Sequence, residues 1–118
     1  MNAFAQAQSA YASISPIRSN RANELEALVR TTNLLRRADS HSKLVTALFK
    51  NRELWAILAS DVAGEGNALP RQLRAQIFYL AEFTVQQSRK ILAGQATPEA
   101  LIDINNAVIA GLSGTEAA

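Results

Sequence analysis

Residues 51–74, NRELWAILASDVAGEGNALPRQLR, hold the punctuation that decides the fold. A helically spaced apolar run ends at Val62–Ala63, Gly64 and Gly66 follow, and after Pro70 the apolar spacing resumes at Leu73. Glycine suits the residue just past a helix, where a positive φ costs it least, and proline suits the first helical position, where its missing N–H has no acceptor anyway. The pattern predicts one helix ending at Ala63, with Gly64 in the left-handed conformation, and another starting at Pro70. The charges oppose both helix dipoles. Asp61 sits in a last turn, and Arg71 and Arg74 sit in a first turn. A structural clamp between Asp61 and Arg74 is expected, offsetting two unfavourable terms of roughly 0.3–1 kcal/mol each. Contact with a partner is the alternative.

Outward from this corner the chain is punctuated the same way. Pro16, Pro70 and Pro98 fall at or just before expected helix starts, and Gly64, Gly66, Gly94, Gly111 and Gly114 fall at expected ends or in the tail. The expectation is an all-α, compact bundle of four to five helices in one domain spanning 1–118. Its first helix covers residues 2–13, within a mobile N-terminal segment 1–15, and is too short to persist without docking. The second runs from about Arg21 to Ala38, with Leu25, Leu28, Val29, Thr32 and Leu35 inward. The third runs from Ser40 or Ser42 to Ala63. Leu44, Leu48, Trp55, Leu58 and Val62 face inward there, with Val45 and Phe49 widening the stripe. The fourth, from Pro70 to Gly94, turns Leu73, Ile77, Leu80, Thr84 and Ile91 to the core. The fifth starts at Thr97–Pro98–Glu99 and buries Leu101, Ile104, Val108 and Leu112, leaving 113–118 as a frayed tail.

Composition agrees with close-packed helices. Apolar residues make up 48% of the chain, but 22 of its 118 positions are Ala and aromatics are only 6%. The absence of Cys excludes a disulfide framework and thiolate chemistry. No apolar run has bilayer-spanning length, and the start MNAFAQAQSAYASIS lacks the basic and long apolar regions of a signal peptide. A cytoplasmic protein with no membrane partner is expected. Charge is uneven: residues 1–52 carry eight Lys/Arg against three acids, and residues 53–118 carry four against seven. The basic half, with Arg18, Arg21, Arg30, Arg36, Arg37, Lys43 and Lys50, reads as solvated helix faces or as a phosphate-binding patch.

The chemical inventory points away from an enzyme. His41 is the only His, and Asp39, Ser40 and His41 are consecutive, so their side chains diverge and cannot form a relay. No zinc-binding His pair, Gly-rich phosphate loop or Cys/His grouping is present, so no catalytic residue, cofactor or metal is assigned. Arg71 and Arg74 open a helix as a DNA-recognition helix would. The connection before them is longer than a helix-turn-helix allows, and DNA is not expected as a partner. Trp55 is expected in the core. Asn105 lies between Leu101 and Val108 on the inner face, where it needs hydrogen-bond partners. It either fixes helix register by bonding a backbone group of the 51–74 turn or marks where a partner docks.

The order Asn51-Arg52, Leu54-Trp55, Asp61, Asn67, Leu69-Pro70, Leu73-Arg74-Ala75, then Leu101-Ile102, Ile104-Asn105 and Gly111-Leu112 resembles the FlaF family of flagellin-synthesis regulators from alphaproteobacterial flagella. An early Ala10-Tyr11 pair is similar too, while residues 13–43 match only loosely. The resemblance implies a non-enzymatic positive regulator that binds newly made flagellin as a secretion chaperone. In the family this activity is counterbalanced by FlbT, a negative regulator acting on flagellin mRNA. It makes Asn51, Arg52, Trp55, Asp61, Asn67, Pro70, Arg74 and Asn105 the signature, expected to hold the scaffold. The partner surface is expected elsewhere, with Phe4, Tyr11, Leu25 and Leu28 as candidates. Alternative readings are an RNA-binding regulator using residues 18–50 and a helical adaptor that pairs with FlbT.

Overall fold

Ser40 shows how directly local chemistry sets the helix boundaries. Its hydroxyl oxygen accepts from the Lys43 N–H (3.2 Å), and the helix behind it runs without a break to Ala63. The computed structural model describes residues 15–64 and 66–117. Among these are four helices: α1 (Ser15–Arg36), α2 (His41–Ala63), α3 (Arg71–Leu92) and α4 (Glu99–Ala117). Each packs on its chain neighbour, and α1 also packs on α4, which closes the ring of an all-α bundle. The α2–α3 and α1–α4 pairs are the most extensive and the α3–α4 pair the least. The helix expected over 2–13, with Phe4 and Tyr11, lies outside the described residues.

Several features of the helix ends depart from the sequence-based expectation. First, α1 begins at Ser15 rather than Arg21 and ends at Arg36 rather than Ala38. Pro16 falls in its first turn, where the missing N–H costs nothing, so the polar run that follows can continue the helix. Second, α4 is helical to Ala117 where a frayed tail over 113–118 was expected. Gly111 lies inside it, and a Cβ there would meet Leu73 Cδ1 at 3.4 Å. The roughly 1 kcal/mol propensity cost of a mid-helix glycine is set against close α3–α4 approach. Third, Gly64 leaves α2 in an extended conformation (φ −76°, ψ 149°), and positive φ falls instead on Gly66 (81°) and Gly94 (75°). Pro70 is the residue before α3 rather than its first helical residue.

The core is two apolar clusters stacked along the bundle. One, beside the α2–α3 corner, joins Leu28 of α1, Trp55 and Leu58 of α2, Ile77 of α3, and Val108 and Leu112 of α4. The other, at the opposite end, joins Leu35, Ala47, Leu48, Ile91 and Leu101. Between them, in every helix, lies a buried polar residue. Thr32 separates Leu28 from Leu35, Asn51 separates Leu48 from Trp55, Thr84 and Ser88 separate Ala81 from Ile91, and Asn105 separates Leu101 from Val108. A polar layer therefore crosses the bundle at one level.

Edges of the apolar stripes were harder to place. Val29, Val45 and Phe49 are exposed, Phe49 by 65%, while Thr31, Ala47 and Leu54 take the buried positions. A residue adjacent to a stripe is only 100° from its centre, and the identity of the neighbouring helix decides which edge is covered.

Candidate functional site

The polar layer is organised by a one-way donor. An indole Nε1–H can only donate, so Asn105 must turn its Oδ1 toward Trp55, at 2.9 Å. That leaves the Asn105 amide pointing the other way, where it donates to Asn51 Oδ1 at 2.9 Å. The chain Trp55–Asn105–Asn51 thus ties α2 to α4 across the bundle, entirely out of solvent. The Thr32 hydroxyl donates to the Leu28 carbonyl (2.6 Å) and the Ser88 hydroxyl to the Thr84 carbonyl (2.8 Å), each satisfied within its own helix. Asn51 Nδ2 and Thr84 Oγ1 are buried without a partner. A layer of this kind specifies register at some cost in stability, because a shifted helix would leave more of these groups unpaired.

Asn105 bonds to the side chains of Trp55 and Asn51 rather than to a backbone group of the 51–74 turn. The corner itself is closed by Asn67. Its Nδ2 donates to the Asp61 carbonyl (3.2 Å) and its Oδ1 accepts from the Leu69 N–H (3.0 Å), while Gly64 N–H also reaches the Asp61 carbonyl (3.1 Å). One asparagine therefore satisfies an orphan carbonyl at the end of α2 and forms the side-chain turn that leads into α3. The expected Asp61–Arg74 clamp is not formed. Asp61 is exposed, and the ion pairs among the described residues are Glu26–Arg30 and Asp39–Lys43. Arg74 is half-buried, with its Nε out of solvent and unpartnered.

On the other side of Trp55 lies a groove of about 370 Å³ between α2 and α3. Trp55, only 1% exposed, lines it together with the small residues Ala56, Ala59 and Ala81, and Val85 and Phe78 add apolar surface. Phe78 is 52% exposed. Arg52, Glu82 and Arg89 supply the charge. Groove and polar layer share one residue, Trp55, which lines the groove and donates to Asn105. A second groove, of about 260 Å³, lies between α1 and α2, where Arg30, Lys50 and Glu53 surround Leu34 and Ile57.

The signature residues thus divide. Asn51, Trp55 and Asn105 form the polar chain, Asn67 and Pro70 form the corner, and Arg52 is neither: it is exposed and lines the α2–α3 groove. Of the residues expected to meet a partner, Leu28 is 0% exposed and Leu25 is half-buried against the core. Leu28 is therefore a core residue and not a docking surface. Phe4 and Tyr11 lie outside the described residues. Sequence reasoning missed Ala56, Phe78 and Arg89. The available signal was the spacing of Arg52, Ala56 and Ala59, which puts two small residues beside an arginine on one face of α2.

Among the described residues no group of three or more His, Cys, Asp or Glu could hold a metal ion, and no helix is long and apolar enough to cross a membrane. No curated protein and no solved structure matches the chain. A family model described as flagellar protein FlaF matches residues 7–112, a span that contains the corner, the polar layer and both walls of the groove. The chain belongs to the FlaF family of flagellar proteins.

Proposed function

We propose that the protein binds newly made flagellin in the cytoplasm as a secretion chaperone, and through this promotes flagellin production and flagellum assembly. The observation that carries this reading is the α2–α3 groove, whose lining of Trp55, Phe78, Val85 and three alanines suits the apolar face of another helix. Flagellin termini form amphipathic helices in the assembled filament and are poorly ordered in the free subunit. Covering one of them would delay polymerisation until export. Phe78, half-exposed at the rim, is the aromatic that such a helix would bury.

Two cations that an RNA-binding reading would use, Arg30 and Lys43, already face Glu26 and Asp39, and Arg36 bonds Asn33 and Asn106. The basic half therefore supports that alternative less than the groove supports flagellin. Calorimetric titration of purified flagellin into the full chain tests the proposal. Saturable binding is expected, and its absence with both intact flagellin and flagellin terminal segments would refute it.

A further inference from the structure

We propose that the groove between α1 and α2 is a second docking surface, which takes an acid-flanked amphipathic helix of a protein other than the one held between α2 and α3. The inference does not rest on the flagellin reading, because it concerns the other side of α2 and a separate set of residues.

The cavity of about 260 Å³ beside Ile57 is continued toward the α1–α2 turn by another of about 340 Å³, and Leu34 lines both. On the first helix the combined lining runs from Ala27 to Ala38, about 16 Å at 1.5 Å per residue, or roughly three helical turns. Leu34 and Ile57 are large, apolar and exposed along it. Its charge is one-sided: Arg30, Arg37, Lys43 and Lys50 line it against a single acid, Glu53. Glu26 and Asp39 already face Arg30 and Lys43, whereas neither Arg37 nor Lys50 is among the ion pairs of the described residues. These two exposed cations stand on different walls, Arg37 at the end of α1 and Lys50 on α2, and Leu34 lines the space beside each.

That combination selects the occupant. Exposed aliphatic side chains with cations on both walls suit a helix that has one apolar stripe and acids on either side of it. RNA fits less well, since the lining offers no aromatic ring on which a base could stack. A second copy of the chain has no matching helix to offer. Residues 1–14 contain no acid, Glu82 is the only acid of α3, and none of the exposed large apolar residues among the described residues belongs to α4. Two copies meeting groove to groove would set like charges against each other. The occupant is therefore a helix of another protein, and the bundle holds two partners at once, one on each side of α2.

The test uses the full chain and a labelled synthetic peptide of about 18 residues, with leucines along one helical stripe and glutamates on both sides of it. A counterpart carries lysine at each glutamate position. Fluorescence anisotropy should show saturable binding of the glutamate form, with the lysine form weaker by about tenfold or more. The double variant Arg37→Gln/Lys50→Gln should lose that preference, and Ile57→Gln should weaken both peptides. All three positions are exposed, and an unchanged circular dichroism melt checks that each variant keeps the fold. Purified flagellin added in excess should leave the glutamate peptide bound. Equal affinity for the two peptides, no binding of the glutamate form, or its displacement by flagellin would overturn the proposal, the last by showing that one partner spans both grooves. So would a single-stranded oligouridine that binds more tightly than the peptide and is lost in the double variant, or a dimer of the chain that Ile57→Gln dissociates. If flagellin itself does not bind, the flagellin reading falls and the peptide result stands.

Discussion

The two halves of the 51–74 stretch solve different problems. From Asn51 to Leu58 the chain is inside the bundle on one side and open to a groove on the other. From Asp61 to Arg74 it is a surface corner. The first half is held by a buried hydrogen-bond chain that reaches a helix some fifty positions away in sequence, through Trp55 to Asn105 (2.9 Å) and Asn105 to Asn51 (2.9 Å). The second is held by local bonds from Asn67, none spanning more than six positions. Long-range bonds make the first half sensitive to how all the helices pack, whereas the corner depends on little besides itself. A position beside the first half can therefore present a groove of fixed shape, and the corner serves to bring α3 alongside.

This contrast can be broken most severely at Trp55. Replacing it with Ala should cost on the order of 3–5 kcal/mol, through lost burial, a cavity and an unpartnered Asn105. Urea denaturation should show a large loss of midpoint or no cooperative transition, since a domain of this size has little more stability than that to lose. Next comes Asn105→Leu, which keeps the volume but orphans the indole N–H and the Asn51 acceptor. A loss of about 1–3 kcal/mol is expected. Combining it with Trp55→Phe, which removes the donor, should recover part of that loss, and strict additivity of the two would contradict the hydrogen-bond chain.

At the corner the effects should be smaller. Asn67→Ala removes two exposed or half-buried bonds and should cost about 1 kcal/mol, read as a shift in denaturation midpoint with an unchanged slope. Smallest of all is the coupling between Asp61 and Arg74. A double-mutant cycle of Asp61→Ala with Arg74→Ala should give less than about 0.5 kcal/mol, and a larger coupling would restore the clamp that their dipole-opposing positions suggest.

How much of this could be read from residues alone follows the same division. The helix ends at Ala63 and near Leu92 were legible, because glycine and proline mark them whatever the rest of the chain does. Most of the inner stripe was legible as well, including Leu48, Leu58, Ile77, Leu101 and Leu112. Asn105 was visibly out of place on an apolar face, but its partners depend on which helices face each other across the bundle, and helical spacing carries no such information. Asn51 sits in register between Leu48 and Trp55, so a buried position was implied, though its pairing was not. The clamp between Asp61 and Arg74 was plausible on charge alone. It fails because Asn67 already closes the corner, leaving no need for an ion pair and no geometry that imposes one. The groove went unseen because much of its lining is small residues and one buried indole, which read as core. Arg52 read as scaffold for a related reason: a signature does not say which of its members face outward.

Ala56 and Ile57 provide the most direct test of the central claim, that the α2–α3 groove is where flagellin docks. They are consecutive and both exposed, but Ala56 opens onto the α2–α3 groove and Ile57 onto the α1–α2 groove. Glutamine is a good helix former and uncharged, so Ala56→Gln and Ile57→Gln should both fold. Titration with purified flagellin should show binding by Ala56→Gln weakened about tenfold or more, equivalent to roughly 1.4 kcal/mol, with Ile57→Gln close to wild type. Unchanged affinity in Ala56→Gln together with a loss in Ile57→Gln would place flagellin on the other side of α2 and contradict the account.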